Sequence, residues 1–198
     1  PNNLTSIGQY CFGYCTNLTL TELPNSITTL NRNAFYECQN LALTKLPDNL
    51  ETIGEYAFNN CTKLALTKFP EKLKTLSQNA FYGCTSLTSI ELPASLTNLQ
   101  SYAFRKCENL VEVISKGNLS RINASVFYDC TSLSKLVISN VTSVTILSNA
   151  SAFTNTKIAN GEGYIYVPDD LVESFKSASS WSTYANQIKG ISELTEEA

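Results

Sequence analysis

Phe12, Phe35, Phe58, Phe81, Phe104 and Phe127 follow one another at intervals of 23 residues. Cys15, Cys38, Cys61, Cys84, Cys107 and Cys130 each lie three residues after a Phe, and Leu18, Leu41, Leu64, Leu87, Leu110 and Leu133 three further on. Four units then carry Pro24, Pro47, Pro70 or Pro93, and a second aliphatic position recurs at Leu30, Ile53, Leu76, Leu99 and Ile122. A unit of this length cannot bury its own apolar residues. It must bury them against copies of itself, which makes a solenoid. Strands stacked in register sit about 4.8 Å apart, so equivalent side chains form ladders.

Each coil can supply one short strand, such as residues 87–92 (Leu-Thr-Ser-Ile-Glu-Leu), which Pro93 ends because it has no N–H to donate. The return segment, such as residues 53–58, reads as a turn or short helical piece that carries Ala-Phe inward. A second period overlies the first. Tyr10, Tyr56 and Tyr102 stand two before the Phe in odd repeats, and Tyr36, Tyr82 and Tyr128 one after it in even repeats. Gly8 and Gly54 mark odd repeats, and Asn33 and Asn79 replace the Tyr in even ones. Tyr side chains from alternate coils are expected to dovetail into one aromatic row on the convex side. That row either fills space around Phe or offers rings for carbohydrate stacking.

The stretch Ala-Phe-Tyr-Gly-Cys-Thr-Ser-Leu at 80–87, continuing as Leu-Thr-Ser-Ile-Glu-Leu-Pro at 87–93, resembles the BspA-like leucine-rich repeats. The resemblance covers about residues 4–160, and six copies match. It implies a right-handed leucine-rich-repeat solenoid of the α/β repeat class, with a short-stranded parallel sheet on the concave face. It also implies a secreted or cell-surface protein, bacterial by the look of its tail, that binds or adheres and does not catalyse. Residues 1–160 are expected to form the solenoid, as six 23-residue repeats plus one degenerate repeat, and residues 161–198 a C-terminal strand–helix cap and tail. In the cap, residues 164–168 read as a last strand. Asp169 or Asp170 would cap a helix carrying Leu171, Val172, Phe175 and Ala178, with Trp181, Tyr184 and Ile188 continuing its apolar side and Gly190 as the stop. Residues 195–198 read as a frayed tail or linker. Leu4 to Phe12 is already repeat, and the Pro1 start reads as a processed or cropped piece of a longer product.

The chain holds no histidine, so a Ser-His-Asp triad, a Cys-His dyad and a His-ligated metal are all excluded. Charged residues make up only 16%, while Asn, Ser and Thr together make up 63 of the 198 residues. The surface is therefore mainly neutral hydroxyl and amide. A net charge of -3 argues against a nucleic-acid partner. No apolar run approaches the roughly 18 residues of a membrane span. Asn-x-Ser/Thr sequences at Asn3, Asn17, Asn60, Asn118, Asn123, Asn140 and Asn149 are what such a composition produces.

Six thiols placed one per coil do not converge, so they cannot hold zinc. Disulfides between neighbouring coils fit the distance but not the dihedral, because in-register side chains point the same way. Buried, reduced thiols are expected, with Cys11 filling the small slot held by Ala34, Ala57, Ala80 and Ala103. A glycosidase needs two carboxylates about 5–10 Å apart. Glu22 and Glu91 share a repeat position but lie three coils apart, near 14 Å at strand spacing. No catalytic residue, metal ligand or cofactor is assigned.

The concave strand face is the candidate binding surface. Ten residues after each Phe come Glu22, Lys45, Lys68, Glu91, Ile114 and Val137, outward by alternation with Leu23, Leu46, Phe69 and Leu92. Glu22 is expected to pair with Lys45, and Lys68 with Glu91. Eight after each Phe come Leu20, Leu43 and Leu66, then Ser89, Glu112 and Lys135. One later come Thr21, Thr44 and Thr67, then Ile90, Val113 and Leu136, so the first three repeats exchange the polar and apolar positions of the last three. Either a local bulge turns Leu20, Leu43 and Leu66 inward, which avoids a row of exposed Leu, or they form an exposed apolar stripe that marks a contact surface. The candidate ligand-binding residues are Leu20, Glu22, Leu43, Lys45, Leu66, Lys68, Glu91, Glu112 and Lys135. The partner would be an unidentified protein or glycan of host or microbial origin. The alternative is a spacer presenting other domains of a larger surface protein.

Overall fold

A two-residue strand precedes the Ala-Phe segment of each repeat. In the computed structural model, which describes residues 3–196, these strands are β1 (Ser6–Ile7), β2 (Thr29–Leu30), β3 (Thr52–Ile53), β4 (Thr75–Leu76), β6 (Asn98–Leu99), β8 (Arg121–Ile122) and β10 (Ile146–Leu147). All pairings among them are parallel and keep one register, as in Thr29–Thr52–Thr75 and Leu30–Ile53–Leu76. A second, longer strand follows the Leu of repeats four to six: β5 (Ser89–Leu92), β7 (Glu112–Ser115) and β9 (Lys135–Ile138). These form a parallel sheet that β11 (Tyr164–Val167) and β12 (Ile188–Gly190) extend, in the order β12-β11-β9-β7-β5. The expected strand over 87–92 is thus present, and it ends at Leu92 before Pro93. In repeats one to three the equivalent segments are irregular, and among the described residues the third is joined to the sheet by a bridge between Lys68 and Glu91.

The return segment is a run of turns with an unusual backbone. The residues two before each Phe (Tyr10, Asn33, Tyr56, Asn79, Tyr102, Ser125) and two after it (Tyr14, Glu37, Asn60, Gly83, Lys106, Asp129) hold φ between 54° and 70°. Left-handed backbone costs roughly 1–2 kcal/mol per non-glycine residue. The hydrogen-bond pattern offsets it. In the first coil Tyr10, Phe12 and Tyr14 N–H donate to the carbonyls of Arg32, Ala34 and Tyr36 in the second, at 3.2, 2.9 and 2.6 Å, and later coils repeat the pattern. The intervening N–H groups bond within their own coil, as Cys11 to Gly8. The backbone therefore stays satisfied in a buried, non-helical segment. At Gly54 the neighbouring coil approaches closely, a Cβ there lying 2.8 Å from the Arg32 nitrogen, although the same repeat position holds Asn31, Ser77, Gln100 and Asn123 in other coils.

Side-chain ladders fill the interior. Consecutive Phe rings from Phe12 to Phe127 stack with centroids 5.2–5.8 Å apart. Phe153 continues the ladder at 5.7 Å. Full burial of such a ring stabilises by about 1.5–3 kcal/mol, and each stacked pair adds about 0.5–1.5. Phe35 to Phe127 are fully buried, whereas Phe12 is only partly so.

The cap differs from its sequence reading. Asp169 and Asp170 lie in the first turn of a 3-10 helix (Asp169–Leu171), and neither caps the helix α1 (Val172–Ser177) that follows. The Asp169 carboxylate instead accepts bonds from the Ser192 N–H and hydroxyl at 3.2 and 2.8 Å. The expected long apolar helix ends at Ser177, where Ala178 turns extended, and Ser180 with φ 64° starts the next turns. Trp181–Gln187 then forms 3-10 turns, and Ile188–Gly190 forms an edge strand beyond β11, so β11 is not the last strand. The break lets Trp181 and Tyr184 reach Phe153, at 6.1 and 5.3 Å, and close the Phe ladder with a different ring chemistry. Trp181 Nε1 donates to the Thr145 carbonyl and the Tyr184 hydroxyl to that of Ala150, so both buried polar tips are satisfied. Of the tail expected over 195–198, Glu197 and Ala198 lie outside the described residues, and 3-10 turns run as far as Glu196.

Candidate functional site

The long-strand sheet carries two rows opposite its core-facing residues, in which Val137 and Tyr166 are themselves buried at 6% and 1% exposed. Ser89, Glu112, Lys135 and Tyr164 align in one. Lys68, Glu91, Ile114, Val137, Tyr166 and Lys189 align in the other. Of the candidate contact residues, Glu22, Lys45 and Lys68 are exposed, and Glu91, Glu112 and Lys135 are half-buried.

Leu43 and Leu66 do not belong to this surface. They are 0% and 1% exposed and sit in the core. In these coils the inward residues run 41, 43, 46 where the fourth coil has 87, 90, 92. The chain length is the same, so the bend falls at Thr44–Lys45 and Thr67–Lys68, leaving two adjacent residues outward and no room for a regular strand. Leu20 remains 37% exposed because no described coil lies beneath it.

The expected ion pairs also differ. Among the described residues Glu22 and Lys45 form none, and Lys68 forms none with Glu91. Lys116, just past the end of β7, reaches Glu91 instead, and Lys135 pairs with Glu112 at 2.8 Å. Lys68 is bridged to Glu91 through the backbone, while β5 and β7 run in unbroken register. Lys45 and Lys68 flank a cavity of about 190 Å³ with Leu46, Asp48, Phe69 and Pro70. The larger cavity of about 480 Å³, between β10 and the cap, is lined by Arg121, Thr145, Ile146, Ser180 and Trp181 among others, with no carboxylate.

All seven cysteines are free. Each interior thiol donates to the carbonyl of the Phe in the preceding coil: Cys38 to Phe12 at 2.9 Å, Cys61 to Phe35, Cys84 to Phe58, Cys107 to Phe81 and Cys130 to Phe104. Burial pushes the Cys38 thiol up to about 11 and raises Cys61, Cys84, Cys107 and Cys130 as well. These are inert packing groups, since the thiolate is the nucleophile. Thr156, in the degenerate repeat, replaces the thiol and donates to Phe153 in its own coil. Cys11 and Cys15 are exposed. Cys11 does not occupy a buried slot like that of Ala34, because among the described residues the first coil is covered on one side only.

The tyrosines form the expected row, made of two unlike halves. Tyr14 and Tyr36 meet edge to face at 5.2 Å, and Tyr36 and Tyr56 at 6.4 Å. Burial and then the Glu37 carboxylate raise the Tyr36 phenol above its ordinary value. Further along, the Arg105 guanidinium lies 5.7, 5.7 and 4.8 Å from the ring centres of Tyr82, Tyr102 and Tyr128. Sequence reading singled out neither Arg105 nor Tyr14. The available signal was the position after each odd Phe, which reads Gly13, Asn59 and Arg105.

The model of the BspA type leucine rich repeat region matches this chain in six copies, over residues 1–65 and 28–160. Among solved structures, a leucine-rich repeat protein of T. pallidum is 31% identical with a TM-score of 0.63, covering 70% of this chain and 67% of its own. A leucine-rich repeat protein of Bacteroides ovatus is 24% identical with a TM-score of 0.61, covering 84% of this chain and 47% of its own. The pneumococcal vaccine antigen PcpA is 23% identical with a TM-score of 0.69, covering 93% of this chain and 44% of its own. The chain thus spans less than half the length of the last two. No curated protein sequence matches.

Proposed function

The chain belongs to the BspA-type leucine-rich repeat family, and from that premise we propose that it is a non-catalytic recognition module that binds a macromolecular ligand through its long-strand sheet face. One observation carries the reading. Glu91 is registered beside the half-buried Ile114, and Lys135 beside the half-buried Tyr164, so charged, apolar and aromatic side chains share one accessible face with the exposed Lys68. Protein interfaces combine apolar and aromatic residues with polar ones in this manner. The contact set is Lys45, Lys68, Glu91, Glu112 and Lys135, with Glu22 and Leu20 at the edge. The ligand is a protein or glycan met outside the cell, and the module works in a secreted or surface-attached protein. This placement rests on the family resemblance, and no helix among the described residues is long and apolar enough to cross a membrane.

The test is binding of the chain to panels of extracellular proteins and glycans, compared with the triple variant Lys45→Glu, Lys68→Glu, Glu91→Lys. A ligand that the variant loses, with thermal unfolding unchanged, supports the reading. No ligand on broad panels would favour the spacer, in which the solenoid holds other domains at a distance.

A further inference from the structure

The tyrosine row contains a cage that is filled at one end and open at the other. Arg105 lies among Tyr82, Tyr102 and Tyr128. It has no ion pair among the described residues, and its Nε is buried without a hydrogen-bond partner. The guanidinium is held by the faces and edges of aromatic rings, which attract cations through their quadrupoles.

Four repeats earlier the same framework recurs with the cation missing. Tyr10 stands at the register of Tyr102 and Tyr36 at that of Tyr128, while Gly13 stands at that of Arg105. Tyr14 occupies the register of Lys106 and adds a further ring. The result is a cavity of about 200 Å³ lined by Tyr10, Tyr14, Arg32, Asn33, Tyr36 and Tyr56. Tyr10 and Tyr14 are 49% and 65% exposed, so the cage is open to solvent. Among the described residues no cation lies over any of these four rings. Arg32, the cation on its rim, leans toward Glu55 at 3.8 Å. With Glu37 beside Tyr36, the local balance is two carboxylates to one guanidinium, which favours a cation over an anion.

We propose that the Tyr10–Tyr14–Tyr36–Tyr56 cage is a binding site for an arginine side chain of a partner polypeptide, which enters where Gly13 leaves the space that Arg105 fills in the fifth coil. The site lies on the turn segments, away from the long-strand sheet, and stands or falls independently of binding there.

The experiment is an amide-resolved NMR titration of the whole chain with Nα-acetyl-arginine amide. The controls are the citrulline analogue, which keeps the shape and loses the charge, and a neutral oligosaccharide. Saturable shifts confined to the Tyr14 and Tyr36 neighbourhood are expected with the arginine probe, and about two- to fivefold weaker binding with citrulline. Gly13→Arg should block the probe by filling the cage from within; a Cβ there meets only the Tyr10 ring closer than 3.4 Å. Tyr14→Ala, in an exposed side chain, should weaken the probe without touching the core. Arg105→Gly should create a second site near Tyr128. Equal binding of arginine and citrulline, binding of the sugar instead of the probe, or unchanged binding in both Gly13→Arg and Tyr14→Ala would overturn the proposal.

Discussion

Repeats one to three and repeats four to six share a Phe ladder, a thiol ladder and a short-strand register, yet only the second group builds the long-strand sheet. The difference lies in one exchanged pair of residues. Where repeat four has Ser89 then Ile90, repeat two has Leu43 then Thr44. Both coils must direct one apolar side chain inward between the flanking Leu residues. In repeat four that residue alternates correctly with Leu92 and a strand forms. In repeat two it comes one residue early, and the chain bends at Thr44–Lys45 to bring Leu46 back inside. Burial of apolar side chains decided the outcome over ladder hydrogen bonding, as expected when a Leu contributes about 1.5–3 kcal/mol and a net hydrogen bond about 0.5–1.5.

The largest effect should separate the middle of the array from its end. Phe81→Ala removes a ring stacked on both sides and is expected to cost about 3–5 kcal/mol in urea unfolding. Phe12→Ala, with a described neighbour on one side only, should cost less than half of that. Equal losses would mean that the first coil is as well packed as the fourth.

The exchanged pair can be tested directly. Leu43→Ser should cost at least about 2–5 kcal/mol, the range for truncating a buried Leu, because it also buries a hydroxyl. Adding Thr44→Ile, which restores the polar–apolar order of residues 89–90, should recover most of that loss. If the double variant is no more stable than the single one, the bend has another cause.

A third contrast sets buried thiols against exposed ones. Cys11 and Cys15 should react quickly with iodoacetamide under native conditions, and Cys38, Cys61, Cys84, Cys107 and Cys130 only on unfolding. The pH dependence follows. The folded Cys38 pKa lies near 11, above the ordinary value of 9.0, so between them the folded state holds a proton that the unfolded state has lost. This contribution to stability is fully present below pH 9.0 and declines as pH rises toward 11. Thermal unfolding followed across that window should show a falling midpoint, and Cys38→Ala should flatten the fall. A midpoint that rises with pH would contradict the burial.

The smallest effect is expected on the sheet face. Lys135→Gln removes the partner of Glu112 and should change stability by no more than about 1 kcal/mol, as for exposed ion pairs generally. The same substitution in a ligand-binding assay should read far more strongly if this face is the recognition surface.

Much of the molecule was legible before any coordinates. The interval between Phe residues required stacked coils, and the thiol three residues later marked a small buried group at every interior level, though not at the exposed Cys15. The Ser-Ile-Glu-Leu alternation marked β5, and the alternating Tyr positions marked an aromatic row. What was not legible was which side chains meet where coils adjoin. The bond from Asp169 to Ser192 and the place of Arg105 between Tyr82 and Tyr128 join residues one repeat interval apart, yet the interval does not say that those side chains touch, and Lys116 reaches Glu91 from outside it. The break after Ser177 was hidden too, because Trp181, Tyr184 and Ile188 keep helical spacing while tertiary packing draws Trp181 and Tyr184 onto Phe153.

The repeat by itself determined that the chain stacks in register and which side chains form the interior ladders, because translational symmetry gives every buried position the same neighbours. Only the tertiary structure decided which coils carry a regular sheet, where the charges pair and which tyrosine cage stands open. Those outcomes depend on the direction of single side chains and on what the adjoining coil places against them.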